Sequence, residues 1–264
     1  MNRLCTAAVP ALIAFCAVAV PQDRGPTDGA PKPIKLAVYK EMPYSATRTV
    51  TISKLGTDGQ TTTQTLRSLL WRDAEGKTRQ DDIEENKTFG ETRAINVDDP
   101  VTRVHYAWND GGRLDKQANG VMVTHTPASW QEEDFWPDSS PKGQPRIPPT
   151  PSPVPTNDPD RKFEILQPKE LSGIHVEGQR ITWVIPVGRE GNDREIRVIQ
   201  EKWTSPDLRI TIYSVLDDSR TGRTVIELTN IDRSNPAPSI FQPPTDRPMY
   251  DVNAVGHDAT SQSH

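Results

Sequence analysis

Apolar and polar side chains alternate along most of the chain from about residue 45 onward. In the segment SATRTVTISKL, Val50 and Ile52 occupy one set of alternating positions and hydroxyl side chains occupy the other. The segment LRITIYSVL repeats this pattern, with Ile210 and Ile212 on one side. A period of two with many β-branched residues is typical of half-buried strands. The chain is therefore predicted to be built mainly from β-strands.

Short turn sequences separate the predicted strands. They include GTDG at 56–59, DAEG at 73–76 and DDSRTG at 217–222. Strands joined by such short turns pair in antiparallel fashion. The expected fold class is mainly β, a curved antiparallel sheet or half-open β-barrel with few short helices, because roughly ten strands must curl to limit their exposed edges.

Three segments are candidates for short helices. The segments 34–44 and 165–172 lack clear alternation and are interpreted as short helices. Near the end of the chain, PAPSIFQPPTD is expected to form one helical turn that carries Ile240 and Phe241.

The first 19 residues have the pattern of a signal peptide. Arg3 supplies a positive charge, Leu4 to Val20 is almost wholly apolar, and Ala17-Val18-Ala19 is a suitable cleavage site. A membrane anchor is the alternative interpretation of this short apolar run. Both cysteines of the chain lie inside this segment. We therefore expect an exported protein, periplasmic or extracellular, whose mature part has no thiol chemistry and no membrane segment.

The remaining chain divides by composition. The residue ranges are a flexible leader at 20–44, a first antiparallel β half at 45–136, a Pro-rich insertion at 137–160, a second β half of the same domain at 161–246, and a disordered tail at 247–264.

The Pro-rich insertion contains nine prolines between residues 137 and 159. Proline removes a backbone donor and fixes φ, so this segment cannot be a central strand or a helix interior. It is interpreted either as an exposed linker or as a ligand for a groove that binds proline-rich peptides.

Composition excludes several classes of protein. The net charge is −5, only 33% of the residues are hydrophobic and the mean hydropathy is −0.67. These values argue against a nucleic-acid binder, a coiled coil and a polytopic membrane protein.

No catalytic motif stands out. The motif G-x-S-x-G does not occur, and a glycine-rich phosphate loop is also missing from the sequence. His105, His125 and His175 have no metal-binding spacing, although neighbouring strands could bring them together. We therefore predict no catalytic residues, no metal and no cofactor.

Tryptophan is the most prominent remaining feature. Trp71, Trp108, Trp183 and Trp203 each lie within a predicted strand, where they could form an ordinary core or line a surface for a hydrophobic ligand. The residues predicted to face inward and bind such a ligand are Trp71, Trp108, Trp183, Ile210 and Ile212.

Two blocks of sequence resemble an uncharacterised class of secreted bacterial proteins. The first contains LLWRDAEGKTRQD and INVDDPVTRVHYAW, and the second runs from LSGIHVEGQ to SIFQPP. Their strand plan is similar to the periplasmic lipoprotein-carrier fold (LolA/LolB) and to the RseB sensor domain. The resemblance implies a half-open antiparallel barrel, and fold alone does not assign a function.

The leading interpretation is a non-catalytic exported protein that binds an acyl chain or lipoprotein on a concave sheet. Its expected partners are a lipid, a lipoprotein or an envelope protein. One alternative is an envelope interaction or structural module that uses the Pro-rich segment, and a second is a hydrolase with an unrecognised site.

Overall fold

The computed structural model describes residues 35–56, 58–88, 90–112, 119–127, 131–135 and 160–252. They belong to one compact unit that spans Ile34–His264. Within them the strands are β1 (Lys35–Tyr39), β2 (Tyr44–Leu55), β3 (Thr61–Arg72), β4 (Thr78–Asn86), β5 (Gly90–Asp99), β6 (Val104–Gly111), β7 (Val121–His125), β8 (Gln131–Phe135), β9 (Arg161–Leu171), β10 (Ile174–Ile185), β11 (Ile196–Ser205), β12 (Ile210–Asp218), β13 (Gly222–Asp232) and β14 (Met249–Asp251), and a 3₁₀ helix spans Pro238–Phe241.

Twelve of these strands form one sheet. Their order is β14-β7-β6-β5-β4-β3-β2-β13-β12-β11-β10-β9, and every neighbouring pair is antiparallel except β14 with β7. The edge strands β9 and β14 do not pair with each other, so the described strands do not close into a barrel. The strands β1 and β8 form a separate parallel pair. The expected curved antiparallel sheet with little helix is confirmed.

The ladder registers divide the side chains of the large sheet between two faces. Residues directly opposite each other on paired strands project from the same face, and successive residues alternate. The paired positions that lead from Trp108 across the sheet share a face with Trp203, whereas Trp183 lies on the other face. We call these surfaces the Trp108 face and the Trp183 face.

The residues 233–248, here called the C-terminal strap, cover the Trp108 face of the first half of the sheet. Phe241 in the 3₁₀ helix is buried against Trp108. Arg79 Nη1 donates to the carbonyl oxygen of Ile240 at 2.7 Å, and Arg247 Nη1 donates to that of Asn109 at 2.8 Å. The helical turn expected at Ile240 and Phe241 is therefore confirmed, as a 3₁₀ helix.

A second core lies on the Trp108 face of the other half, around Trp203. The indole ring packs so closely on Gly178 that a Cβ there would lie 2.5 Å from the ring. The ammonium of Lys169 lies 3.7 Å from the ring centroid, and the indole Nε1 donates to Glu201 at 2.6 Å. Trp203 is therefore held by contacts on its face, its edge and its N–H.

Arg72 connects the two halves of the chain. Its guanidinium is buried, donates to the carbonyl oxygens of Met42 at 2.9 Å and Leu208 at 2.5 Å, and lies over the rings of Tyr39 and Tyr44. Burial lowers the pKa of Arg72. Because a guanidinium remains protonated even so, the fold contains a buried cation that carbonyl oxygens and aromatic rings stabilise.

The boundaries of the predicted leader and tail need correction. The leader was expected to extend through residue 44, but Lys35–Tyr39 forms β1 and Met42 is only 2% exposed. The disordered tail was expected to begin at residue 247, but Arg247 is buried and Met249–Asp251 forms β14. Lys35–Tyr39 and Met249–Asp251 form strands because each pairs with a strand that is distant in sequence.

The prediction of short helices at 34–44 and 165–172 is also wrong. The first range contains β1, and the second lies in β9. The pairing between β9 and β10 shifts between Val176 and Gly178, where β9 has one extra residue near Pro168. This bulge on an edge strand breaks the alternation that would have marked a strand.

Two predicted segments lie outside the described residues. They are the signal peptide at 1–19 and residues 137–159 of the Pro-rich insertion.

Replacing Arg72 by leucine is expected to destabilise the protein. The change leaves two buried carbonyl oxygens without their donor, so the free energy of unfolding should fall by about 2–4 kcal/mol. Denaturant unfolding followed by circular dichroism measures it. The control is Arg67→Leu on the same strand, because Arg67 is half exposed and its ion pair with Glu91 at 3.5 Å should contribute less than about 1 kcal/mol. Equal losses in both variants would show that the buried cation has no special role.

Gly178→Ala is expected to lower the free energy of unfolding by about 1–3 kcal/mol, because the new methyl group overlaps a rigid indole ring. Gly56→Ala is the matched control, since its Cβ would chiefly meet the flexible carboxylate of Asp58. Chemical denaturation of both variants tests this, and an unchanged midpoint for Gly178→Ala would contradict the packing described for Trp203.

Candidate functional site

The five residues predicted to bind a ligand lie in three different places. Trp71 and Trp108 belong to the core under the C-terminal strap, and Ile210 and Ile212 belong to the core around Trp203. Trp183 belongs to neither cluster and lies on the opposite face of the sheet. The expectation that all five share one inward-facing surface is therefore not met by the geometry.

Trp71 and Trp108 are held in place by neighbouring side chains. Trp108 is 6% exposed. The guanidinium of Arg79 lies 5.4 Å and 5.6 Å from the two ring centroids and forms a bidentate pair with the buried carboxylate of Asp81. This arrangement corresponds to the core interpretation that the sequence left open for these two tryptophans.

The isoleucines are packed in a similar way. Ile212 is 1% exposed and contacts the cluster that contains Trp203, Val176 and Leu208. Ile210 is half-buried and borders both this cluster and a smaller one around Tyr44. Neither side chain is placed where it could meet a ligand without a change of structure.

Trp183 lies in an extended group of apolar side chains on the Trp183 face. Trp183 is directly opposite Val198, and Ile181 is directly opposite Phe163. Further along the sheet, Ile226, Val50 and Leu66 are also opposite one another. We call the whole group the apolar band; its members are Phe163, Ile165, Ile181, Trp183, Val198, Leu216, Ile226, Val50, Ile52 and Leu66.

The apolar band is unusual because its members are not fully buried. All ten side chains are half-buried or exposed, and Ile165 and Leu216 are 64% and 46% exposed. The band crosses seven adjacent strands, from β9 to β3. At a strand spacing of about 4.8 Å this corresponds to a width of roughly 30 Å. Polar side chains of the same face, including Gln200, Ser214 and Thr224, lie between its members. Groups of exposed apolar side chains on a soluble protein mark candidate binding surfaces.

Polar groups occur at the end of the band near Trp183. The guanidinium of Arg161 lies 5.1 Å from the Trp183 ring centroid. The indole Nε1 of Trp183 is buried and has no hydrogen-bond partner in the described structure. A buried donor without an acceptor costs about 1–3 kcal/mol, so this N–H is a local source of instability in the fold.

A groove of about 360 Å³ on the Trp108 face has a different character. It is lined mainly by charged side chains, with two ion pairs: Lys162 with Glu164 at 2.9 Å and Arg180 with Glu201 at 2.7 Å. Burial alone would raise the pKa of Glu201, but hydrogen bonds from Trp203 and Arg180 outweigh it and leave this pKa below its usual value. An ionised groove of this kind is unsuited to an acyl chain.

Of the three histidines considered for a metal site, His105 and His125 lie on the paired strands β6 and β7 but project from opposite faces, and His175 lies on the distant strand β10. Each contacts a carboxylate: His105 with Asp98 at 2.7 Å, His125 with Asp251 at 3.2 Å and His175 with Glu170 at 3.5 Å. The hydrogen bond with Asp98 raises the pKa of His105. In the part of the chain that the structure describes, no three His, Cys, Asp or Glu residues are grouped as metal ligands.

The described helical residues include no segment with the length and apolar character needed to cross a bilayer. No protein-family model matches the chain, and no curated protein matches it in sequence.

Solved structures do match. A chain of the MucA/MucB complex of Pseudomonas aeruginosa is 12% identical, with 78% of this chain and 56% of that chain covered and a TM-score of 0.39. A β-barrel-like protein of the domain DUF1849 from Brucella abortus is 9% identical, with 74% and 99% covered and a TM-score of 0.32. A LolA superfamily protein from Nitrosomonas europaea is 11% identical, with 78% and 92% covered and a TM-score of 0.21.

The chain spans just over half the length of the MucB chains that it matches, 56–58%. A LolA superfamily protein, of the kind named in the sequence resemblance, is thus among the solved structures to which this chain is similar.

Proposed function

We propose that this protein is a non-catalytic exported binding protein that takes a hydrophobic ligand, an acyl chain or the lipid of a lipoprotein, on its apolar band. The observation that carries the proposal is the group of ten incompletely buried apolar side chains on one face of seven adjacent strands. Of the five residues expected from the sequence, Trp183 is the one that belongs to this surface. Export rests on the signal-peptide pattern of residues 1–19.

The energy available from the band supports a hydrophobic ligand. Removing about 300 Å² of apolar surface from water contributes roughly 7 kcal/mol before the entropic costs of binding. Binding of this kind needs no covalent chemistry, because the hydrophobic free energy is roughly proportional to the apolar area removed from water and has no directional requirement.

The polar groups near Trp183 suit the head of such a ligand. Arg161 offers a positive charge beside the band, over the ring of Trp183. A fatty acid or phospholipid has an anionic or carbonyl oxygen next to its chain, so its two parts match the two parts of this surface.

Polar substitutions in the band are expected to weaken binding of cis-parinaric acid, a fluorescent acyl chain. Leu216→Ser and Ile165→Ser should each raise the dissociation constant about threefold to tenfold, because each removes exposed apolar area from the contact. Val187→Ser is the matched control, since Val187 is 64% exposed like Ile165 but lies in the β10–β11 loop outside the band. Fluorescence titration of the purified full chain measures the constants.

Native mass spectrometry of the same preparations provides a second measurement. Lipid that co-purifies with the unsubstituted protein should decrease in the two band variants and persist in Val187→Ser. A protein that binds no acyl probe and carries no lipid, or an equal effect of all three substitutions, would overturn the proposal.

A further inference from the structure

A concave surface lies on the Trp183 face at the end of the sheet opposite the apolar band. It has a volume of about 290 Å³ and is formed by β5, β6, β7 and β14. One row of directly opposite residues crosses these four strands: Asn96, Ala107, Met122 and Tyr250. In the next row, Ala94 is opposite Asn109. We call this surface the amide trough.

Small residues make the trough concave. Ala94, Ala107 and Gly120 leave its floor open, while Met122 and Tyr250 rise at one side. Gly120 is required at its position because any Cβ would collide with the Tyr250 ring and would lie 2.6 Å from the carbonyl oxygen of Pro248. The glycine therefore allows the tyrosine ring to form the wall.

The polar groups of the trough are uncharged amides. Within the described structure, the side chains of Asn96 and Asn109 form no hydrogen bond, and each offers two donors and one acceptor. None of the residues that line the trough is acidic or basic. Beside these amides, Tyr250 and Met122 are 48% and 44% exposed.

We propose that the amide trough binds a neutral saccharide. Each sugar hydroxyl is both a donor and an acceptor, which matches amide groups that supply both on neighbouring strands. The C–H face of a sugar ring is apolar and can pack on the exposed ring of Tyr250. No lining residue carries a charge, and the neighbouring Asp82 and Asp98 are already paired with Arg48 and His105, so charged ligands are disfavoured.

The dimensions of the trough agree with this assignment. Ligand pockets usually measure about 300–1,000 Å³, so 290 Å³ is suited to one or two sugar rings. An extended peptide is the rival class of ligand, but a peptide satisfies its backbone by pairing with a strand edge, whereas these amides project from a sheet face. The trough is a separate surface from the apolar band, and its assignment does not rest on the proposed hydrophobic ligand.

The test is saturation-transfer NMR and calorimetry on the full chain with maltose, cellobiose, N,N′-diacetylchitobiose and methyl α-mannoside. The peptide arm is acetyl-trialanine amide. At least one sugar should bind saturably, and Asn96→Ala and Tyr250→Ala should each weaken its binding about tenfold or more. Met249→Ala is the matched control, because Met249 is next to Tyr250, is 52% exposed and does not line the trough.

Unchanged binding in Met249→Ala with loss in the other two variants would support the site. The proposal is overturned if no sugar of the panel binds at millimolar concentration, if the peptide binds in place of the sugars, or if sugar binding survives both substitutions in the trough. Circular dichroism of each variant verifies that the sheet is intact.

Discussion

The buried guanidinium of Arg72 is the interaction on which the arrangement of this sheet depends. It joins the link between β1 and β2, through the carbonyl oxygen of Met42, to the β11–β12 turn, through that of Leu208, which lies 136 positions after Arg72. A buried cation tolerates few alternative positions, because any displacement leaves both the charge and its acceptors without partners. The aromatic rings of Tyr39 and Tyr44 complete its surroundings. The first and second halves of the chain are thereby fixed to each other.

Once the halves are fixed, strand register decides the chemistry of each face. A shift of one residue in any ladder would move every side chain of that strand to the other side of the sheet. The bulge in β9 is an example. Leu166 and Leu171 are five positions apart and would lie on opposite faces of a regular strand, but the extra residue places both in the core around Trp203. In the same strand, Phe163 and Ile165 belong to the apolar band. One strand therefore contributes to a core on one face and to the apolar band on the other.

The sequence predicts some elements well for a physical reason. In β2 the alternation around Val50 is regular. The turns at both ends of β3 are so short that β3 must pair with β2 and β4 as antiparallel hairpins. The strands β1 and β14 have five and three residues, too few for a visible period, and exist because distant partners pair with them.

Site prediction fails for a related reason. The strand β10 is apolar at three successive positions, Trp183, Val184 and Ile185, so its own sequence does not tell which face each residue occupies. The register with β11 provides that information, and it places Trp183 away from Trp71 and Trp108. The amide trough likewise depends on four strands in register, and no single segment contains its pattern.

The apolar band and the amide trough occupy one face, and a paired polar seam divides them. Ser68 Oγ donates to Asp82 at 2.6 Å, and Arg48 Nη2 donates to both residues. Asp82 is directly opposite Ala94 of the trough, and Arg48 is two positions from Val50 of the band. An acyl chain that continued across this seam would have to remove the Arg48–Asp82 pair from water, which costs more than the extra apolar contact returns. The seam therefore separates two surfaces of different chemistry, one with apolar side chains and one lined by uncharged amides.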